Sequence, residues 1–152
     1  MLVLRLRRKW NWRKITADGA AFLLYLLGPG LSIPAYEWYC CGLGVEQVAM
    51  LRIMSGAPRA LLGFLCGSLK DVVKERMFRG ASGFWQEAAA GAIALFVFQL
   101  PFYLAGAWIM RAGMRQILIT CALYVAGDIG FGWWYAALLT RMRRCFHAER
   151  DS

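Results

Sequence analysis

The uncharged run from Ala88 to Met110 constrains this chain more than any other stretch. As a helix its residues reach about 35 Å, enough to cross a hydrocarbon core of about 30 Å. At the centre of the run lies Phe98-Gln99-Leu100-Pro101-Phe102-Tyr103. A lipid-facing helix avoids such a pair as Gln99 and Pro101, because the amide wants hydrogen-bond partners and the proline removes a backbone donor. The segment therefore points to more than anchoring.

The rest of the composition agrees with a membrane chain. Of 152 residues 60% are hydrophobic, and 16 are glycine, which leaves too little polar surface for an ordinary soluble domain. A net charge of +9 raises nucleic acid as a partner, but the basic residues fall between apolar runs and form no stripe, so none is expected. Cys40, Cys41, Cys66, Cys121 and Cys145 show neither CxxC nor metal-ligand spacing, and His147 is the only histidine. No metal, cofactor or catalytic constellation is expected, and the chain does not read as an enzyme.

Taken in order, a basic lead with Arg5, Arg7, Arg8, Lys9, Arg13 and Lys14 is followed by Asp18, which opens a first span over 19–39. An acid in a first turn suits the helix dipole. Gly28-Pro29-Gly30 and Pro34 require that span to bend or break, and Glu37 sits near its far end. A second span, 51–69, includes Pro58 and Arg59, and Gly63 and Gly67 form a GxxxG spacing suited to close helix packing. Lys70 to Arg79 reads as a charged loop; spans over 88–110 and 116–140 follow, the last carrying Asp128 among Gly127, Gly130 and Gly132. Gly132 and Ala136, beside Tyr135, read as a helix-packing pair.

Lysine and arginine number six in the N-terminal tail, four in the middle loop and four in the C-terminal tail, against one and two in the other connections. By the positive-inside rule this gives an all-α membrane protein of four transmembrane helices, arranged as two helical hairpins in one membrane domain over 1–152, with cytoplasmic N- and C-termini. A weak internal repeat supports the hairpins. Ile33-Pro34-Ala35-Tyr36 with Gly44-Val45-Glu46-Gln47 parallels Leu100-Pro101-Phe102-Tyr103 with Gly113-Met114-Arg115-Gln116, and Asp18-Gly19-Ala20-Ala21 parallels Glu87-Ala88-Ala89-Ala90.

Depth along the spans brings Arg59, Gln99 and Asp128 to the central third of the bilayer. A charge there costs at least about 2.5 to 3.5 kcal/mol on insertion scales, so each should face the bundle and find a partner. Two readings stand side by side: a structural Arg59–Asp128 ion pair, or a bracket in which Arg59 takes a carboxylate and Asp128 an ammonium group or a coupling proton. Tyr103 and Pro101 are candidates for the wall of the same pathway, whereas Tyr36 reads as interfacial.

Several of these residues resemble one known family. Thr16-Ala17-Asp18, Glu37, Glu46-Gln47, Arg52, Gly67 with Lys70-Asp71, Phe98 to Tyr103, Gln116 and Arg143-Arg144-Cys145-Phe146 are similar to the pattern of the L-alanine exporter family over roughly residues 16 to 146. The resemblance implies a small four-span protein of the bacterial inner membrane that exports L-alanine or a close small neutral amino acid, driven by the proton motive force. The matching positions are Asp18, Glu37, Gln47, Arg52, Asp71, Gln99, Pro101, Tyr103 and Gly132. Arg59 and Asp128 stand where the family pattern has uncharged polar residues, which leaves the exact substrate open. The expected partners are the lipid bilayer, the amino acid, protons and further copies of the chain as a homodimer or higher oligomer. The alternatives are a non-transporting scaffold or partner-binding subunit, and an exporter of cationic compounds.

Overall fold

The computed structural model describes residues 11–31, 35, 37–39, 42–81 and 83–148. Pro34, Tyr36, Cys40, Cys41 and Arg150, together with Arg5 to Lys9, lie outside the described residues. Among the described residues every regular element is a helix: α1 (Trp12–Leu27), a 3-10 turn (Pro29–Leu31), α2 (Val45–Leu62), α3 (Phe64–Phe78), α4 (Phe84–Ile109) and α5 (Met114–Cys145). Two of these, α4 and α5, are long and apolar enough to cross a membrane, and α2 with α3 makes a third span if the bent pair counts as one.

Helix α1 starts earlier than the sequence suggests. Asn11 is its N-cap, its Oδ1 accepting from the backbone N–H of Arg13 at 3.1 Å and of Lys14 at 3.4 Å. Asp18 consequently lies mid-helix, and the first-turn dipole role expected for it does not apply. The helix stops at Gly28, where Pro29 follows and cannot continue the α-helical ladder.

The second segment is one helix in sequence and two in space. Helices α2 and α3 meet at Gly63 with a 66° bend. Pro58 lies inside α2 without ending it. The expected charged loop from Lys70 to Arg79 is instead the second half of α3, because Lys, Asp, Glu and Arg are adequate helix formers and find ion-pair partners on neighbouring helices. The helix ends only where Arg79 and Gly80 take left-handed φ values of 49° and 78°.

The internal repeat has a local explanation in its second part. The Gln47 side chain accepts from the Gly44 N–H at 3.0 Å, and Gln116 accepts from the Gly113 N–H at 3.0 Å, so both Gly-x-x-Gln segments are helix N-caps. Gln47 is exposed and serves α2 as this cap. The opening segments are not equivalent, since Asp18 is in the middle of α1 and Glu87 is in the first turn of α4.

Small residues let the helices approach. A Cβ added to Gly132 would stand 2.7 Å from the Ala88 carbonyl oxygen and 2.7 Å from the Ala92 nitrogen, so α4 and α5 cross in backbone contact there. Ala136 continues the same seam toward Gly91. On α3, Gly67 makes room for Asp18 of α1, and Gly63 at the bend does so for Phe22. These small-residue pairs are occupied within one chain. Two cores result: Phe22, Tyr25, Cys66, Ala94, Leu95, Phe98 and Tyr135 at one level, and Leu43, Val48, Leu51, Tyr103, Ala107 and Tyr124 at the other.

The seam generates a direct test. Gly132→Ala should lower stability by about 1 to 3 kcal/mol through overpacking against α4 backbone. Gly127→Ala, where a Cβ meets nothing within 4 Å, should be neutral or slightly stabilising. Thermal unfolding of the two purified variants in detergent checks the pair, and equal melting temperatures would refute the seam.

Candidate functional site

The buried face of α5 repeats every three or four residues through Thr120, Tyr124, Asp128, Gly132, Tyr135, Ala136 and Leu139. On α2 the same spacing buries Leu51, Ser55 and Arg59, and on α4 it buries Leu95, Phe98, Gln99 and Tyr103. Polar residues placed on these inward stripes have to meet one another. Arg59 is 1% exposed, Gln99 1% and Asp128 2%, so the three expected polar residues do converge.

Their contacts differ from a simple ion pair. The Arg59 Nε donates to the Ser55 carbonyl at 2.7 Å, and Nη2 donates to Ser55 Oγ at 2.9 Å. Nη1 donates to Gln99 Oε1 at 3.1 Å and to the Tyr124 hydroxyl at 3.1 Å. All four bonds go to neutral oxygens. Gln99 then donates from Nε2 to Asp128 Oδ1 at 3.3 Å, and the same oxygen accepts from the Tyr25 hydroxyl at 3.1 Å. The direct Arg59–Asp128 pair entertained from the sequence is replaced by a bridge. A guanidinium only donates and a carboxylate only accepts, so the amide between them can satisfy both in one orientation. Asp128 Oδ2 is buried with no hydrogen-bond partner among the described residues.

Above this centre sits a second polar cluster. Glu37, fully buried, receives Arg52 in a two-point contact, Nε to Oε2 at 3.1 Å and Nη2 to Oε1 at 2.5 Å. Arg52 Nη1 also donates to the Tyr124 hydroxyl at 3.2 Å. Tyr103 is buried beside it, its ring 5.3 Å from that of Tyr124. Pro101 faces outward and is exposed, so it belongs to the surface of α4 and not to the wall around Arg59.

At the opposite end Arg143 of α5 clamps two carboxylates. Its Nε and Nη2 reach Asp18 at 2.7 and 2.8 Å, and its Nη1 and Nη2 reach Asp71 at 2.8 and 2.9 Å. Lys14 adds a 2.7 Å bond to Asp71, tying α1, α3 and α5 together. Glu87 of α4 pairs with both Lys70 and Lys74 of α3. Partial burial pushes the Asp71 carboxyl up, but the bonds and charges of Arg143 and Lys14 outweigh that and hold it below its ordinary value of 3.8.

Of the residues singled out in the sequence, Arg59, Gln99 and Asp128 meet at one centre, with Tyr103 packed nearby. Glu37 and Arg52 form the cluster above, Asp18 and Asp71 the cluster below, while Gln47 is a cap and Gly63, Gly67, Gly132 and Ala136 are packing positions. Sequence reasoning missed Tyr124, Tyr25 and Ser55, and it gave Lys14 a topological meaning and Arg143 a topological meaning and a place in the family pattern, but neither a partner. The spacing carries the missing signal. Ser55 precedes Arg59 by four residues and Tyr124 precedes Asp128 by four, so each lies on the same helical stripe as the charge.

Compared with known proteins, residues 7–149 match the model of a family described as L-alanine exporter (AlaE). No curated protein and no solved structure matches the chain.

Removing Arg143 would leave the buried Asp18 carboxylate without its ion-pair partner, while Asp71 keeps Lys14, so Arg143→Gln should cost about 3 kcal/mol, the low end for loss of one partner of a buried pair. Unfolding temperature and detergent-extracted yield measure it. The sign for pH follows from Asp71. A carboxyl held lower in the folded than in the unfolded state contributes stability above its ordinary value of 3.8 and loses it as pH falls through the folded value. The melting temperature should therefore drop on acidification below about pH 4, and Asp71→Asn should flatten that drop; an unchanged slope would refute it.

Proposed function

The chain belongs to the L-alanine exporter family, and from that premise we propose that it carries L-alanine, or a close small neutral amino acid, out across the bacterial inner membrane. Four spans with both termini in the cytoplasm put the Arg143 end inside and the Gly113 end outside, in keeping with the lysine and arginine count. Members of such a family act as transporters and not as enzymes, and the chemistry to explain is recognition and movement.

The observation that carries the reading is the unmatched pair at the centre: among the described residues, a buried guanidinium is bonded to neutral oxygens only and a buried carboxylate has one oxygen without a partner, the two separated by a single amide. A zwitterion fits both ends. Its carboxylate goes to Arg59 and its ammonium group to Asp128, so that each charge exchanges a neutral neighbour for an opposite one. A site of this kind favours substrates with both charges on one carbon and disfavours simple cations, which leave Arg59 unanswered.

The same carboxylate supports the reading that export is coupled to protons. Alanine needs Asp128 ionised, whereas in the empty centre its Oδ2 has no partner among the described residues and is the place for a proton. Once alanine leaves on the outside, a proton takes its place on Asp128, and it is given up on the inside before the next alanine binds. One proton enters for each alanine exported, and the proton motive force supplies the drive.

In cells unable to degrade alanine and loaded with an alanine dipeptide, the protein should lower intracellular alanine relative to cells without it. Equal accumulation would overturn the export reading. Arg59→Gln and Asp128→Asn should each reduce export about tenfold or more at normal membrane levels, because each removes a group that touches substrate. The double variant should not recover activity, since Gln99 separates the two groups; recovery would return them to a structural pair.

A further inference from the structure

Among the described residues, Tyr124 joins the cluster around Glu37 to the centre around Arg59 by hydrogen bonds to both. Its hydroxyl oxygen accepts from Arg52 Nη1 at 3.2 Å and from Arg59 Nη1 at 3.1 Å, so two guanidinium groups lying two turns apart on α2 share one neutral acceptor on α5. Arg52 is anchored on the other side by Glu37, whose two carboxylate oxygens it contacts. Arg59 is anchored by Ser55 through Nε and Nη2. The edge of the Arg59 fork that faces its own helix is therefore taken, and Nη1 is where an incoming carboxylate has to compete.

Nη1 has two partners to give up, and they are not equivalent. Gln99 also holds Asp128 and keeps the two charges at a fixed spacing. The Tyr124 hydroxyl has an alternative donor already in place in Arg52. A carboxylate on Nη1 thus displaces Tyr124 at lower cost than it displaces Gln99.

We propose that Tyr124 is a positioning residue that couples substrate binding to loosening of the α2–α5 contact at the Gly113 end: the substrate carboxylate displaces its hydroxyl from Arg59, and of the two bonds it accepts from α2 only the one from Arg52 remains. The inference rests on the export reading above, in which a carboxylate binds Arg59 and the Gly113 end faces outward. With both bonds intact, α5 is held against α2, and the tilted stacking of Tyr124 on Tyr103 of α4 draws in the third helix. With the Arg59 bond gone, the Tyr124 hydroxyl is held to α2 by Arg52 alone, and this end of the bundle parts more readily. The coupling runs in the direction an exporter needs, since binding from the inside loosens the outside.

Tyr124→Phe tests this in the full-length chain, because the ring keeps its packing and only the oxygen is lost. The first measurement is equilibrium binding of alanine to purified protein. The second is the reaction of a Leu43→Cys reporter, in a background with the native cysteines changed to serine, with a membrane-impermeant maleimide applied outside; Leu43 is 5% exposed beside Val48 and Tyr103. In the parent protein alanine should speed labelling severalfold. In Tyr124→Phe, labelling should be fast without alanine and insensitive to it, alanine should bind as tightly or more tightly, and the maximal export rate should fall about tenfold. An alanine-dependent rise in labelling that persists in Tyr124→Phe would overturn the proposal. So would weaker alanine binding with an unchanged maximal rate, which would mean that the hydroxyl only holds Arg59 for its substrate. Absence of alanine binding by the parent protein, by contrast, would overturn the export reading itself.

Discussion

The rest of this structure depends on how a buried arginine is kept without an acid in contact. Arg59 is solvated by the Ser55 carbonyl and hydroxyl on its own helix and by Gln99 and Tyr124 from two others. In a low-dielectric interior an unanswered guanidinium is costly, and four neutral oxygens reduce that cost without cancelling the charge. Among the described residues the guanidinium is thus surrounded by dipoles and keeps its positive charge uncompensated by direct contact. A direct bond to Asp128 would have satisfied both charges and left neither available.

Three polar layers follow from that arrangement. The central layer of Arg59, Gln99, Asp128 and Tyr25 is flanked by Glu37 with Arg52 on one side and by Asp18, Asp71, Arg143 and Lys14 on the other. The flanking layers are satisfied ion pairs with two-point arginine geometry, which hold helices together. The central one is not: its arginine and its aspartate are separated by an amide. The aromatic core of Phe22, Tyr25, Phe98 and Tyr135 fills the level between the centre and the Arg143 end, with Tyr25 belonging to both.

Much of this was legible in the amino-acid sequence. The apolar run from Ala88 to Met110 appears as a single helix, α4, because its length and lack of charge leave no other stable form in lipid. The break at Gly28-Pro29-Gly30 follows from backbone chemistry alone. Polar residues in apolar runs had to converge, and Arg59, Gln99 and Asp128 do. Element ends were less legible. Asn11 moved the start of α1 and the ion pairs of Lys70, Asp71 and Lys74 extended α3, since both depend on a local cap or on residues distant in the chain. Pro101 illustrates the other limit: a proline announces a backbone change but not the face on which it falls.

The sequence by itself determined an all-helical chain suited to a membrane, the turns that interrupt it and the inventory of polar side chains that lipid would reject, because these follow from hydropathy, proline and glycine chemistry and the cost of charge in hydrocarbon. Only the tertiary structure decided the pairing. Whether Arg59 meets Asp128, Gln99 or Tyr124 depends on helix rotation and on how closely the glycine seams at Gly67, Gly91 and Gly132 let the helices approach. Those are properties of packing between segments far apart in sequence. A few ångströms there separate a neutralised ion pair from a pair of charges held apart by one amide.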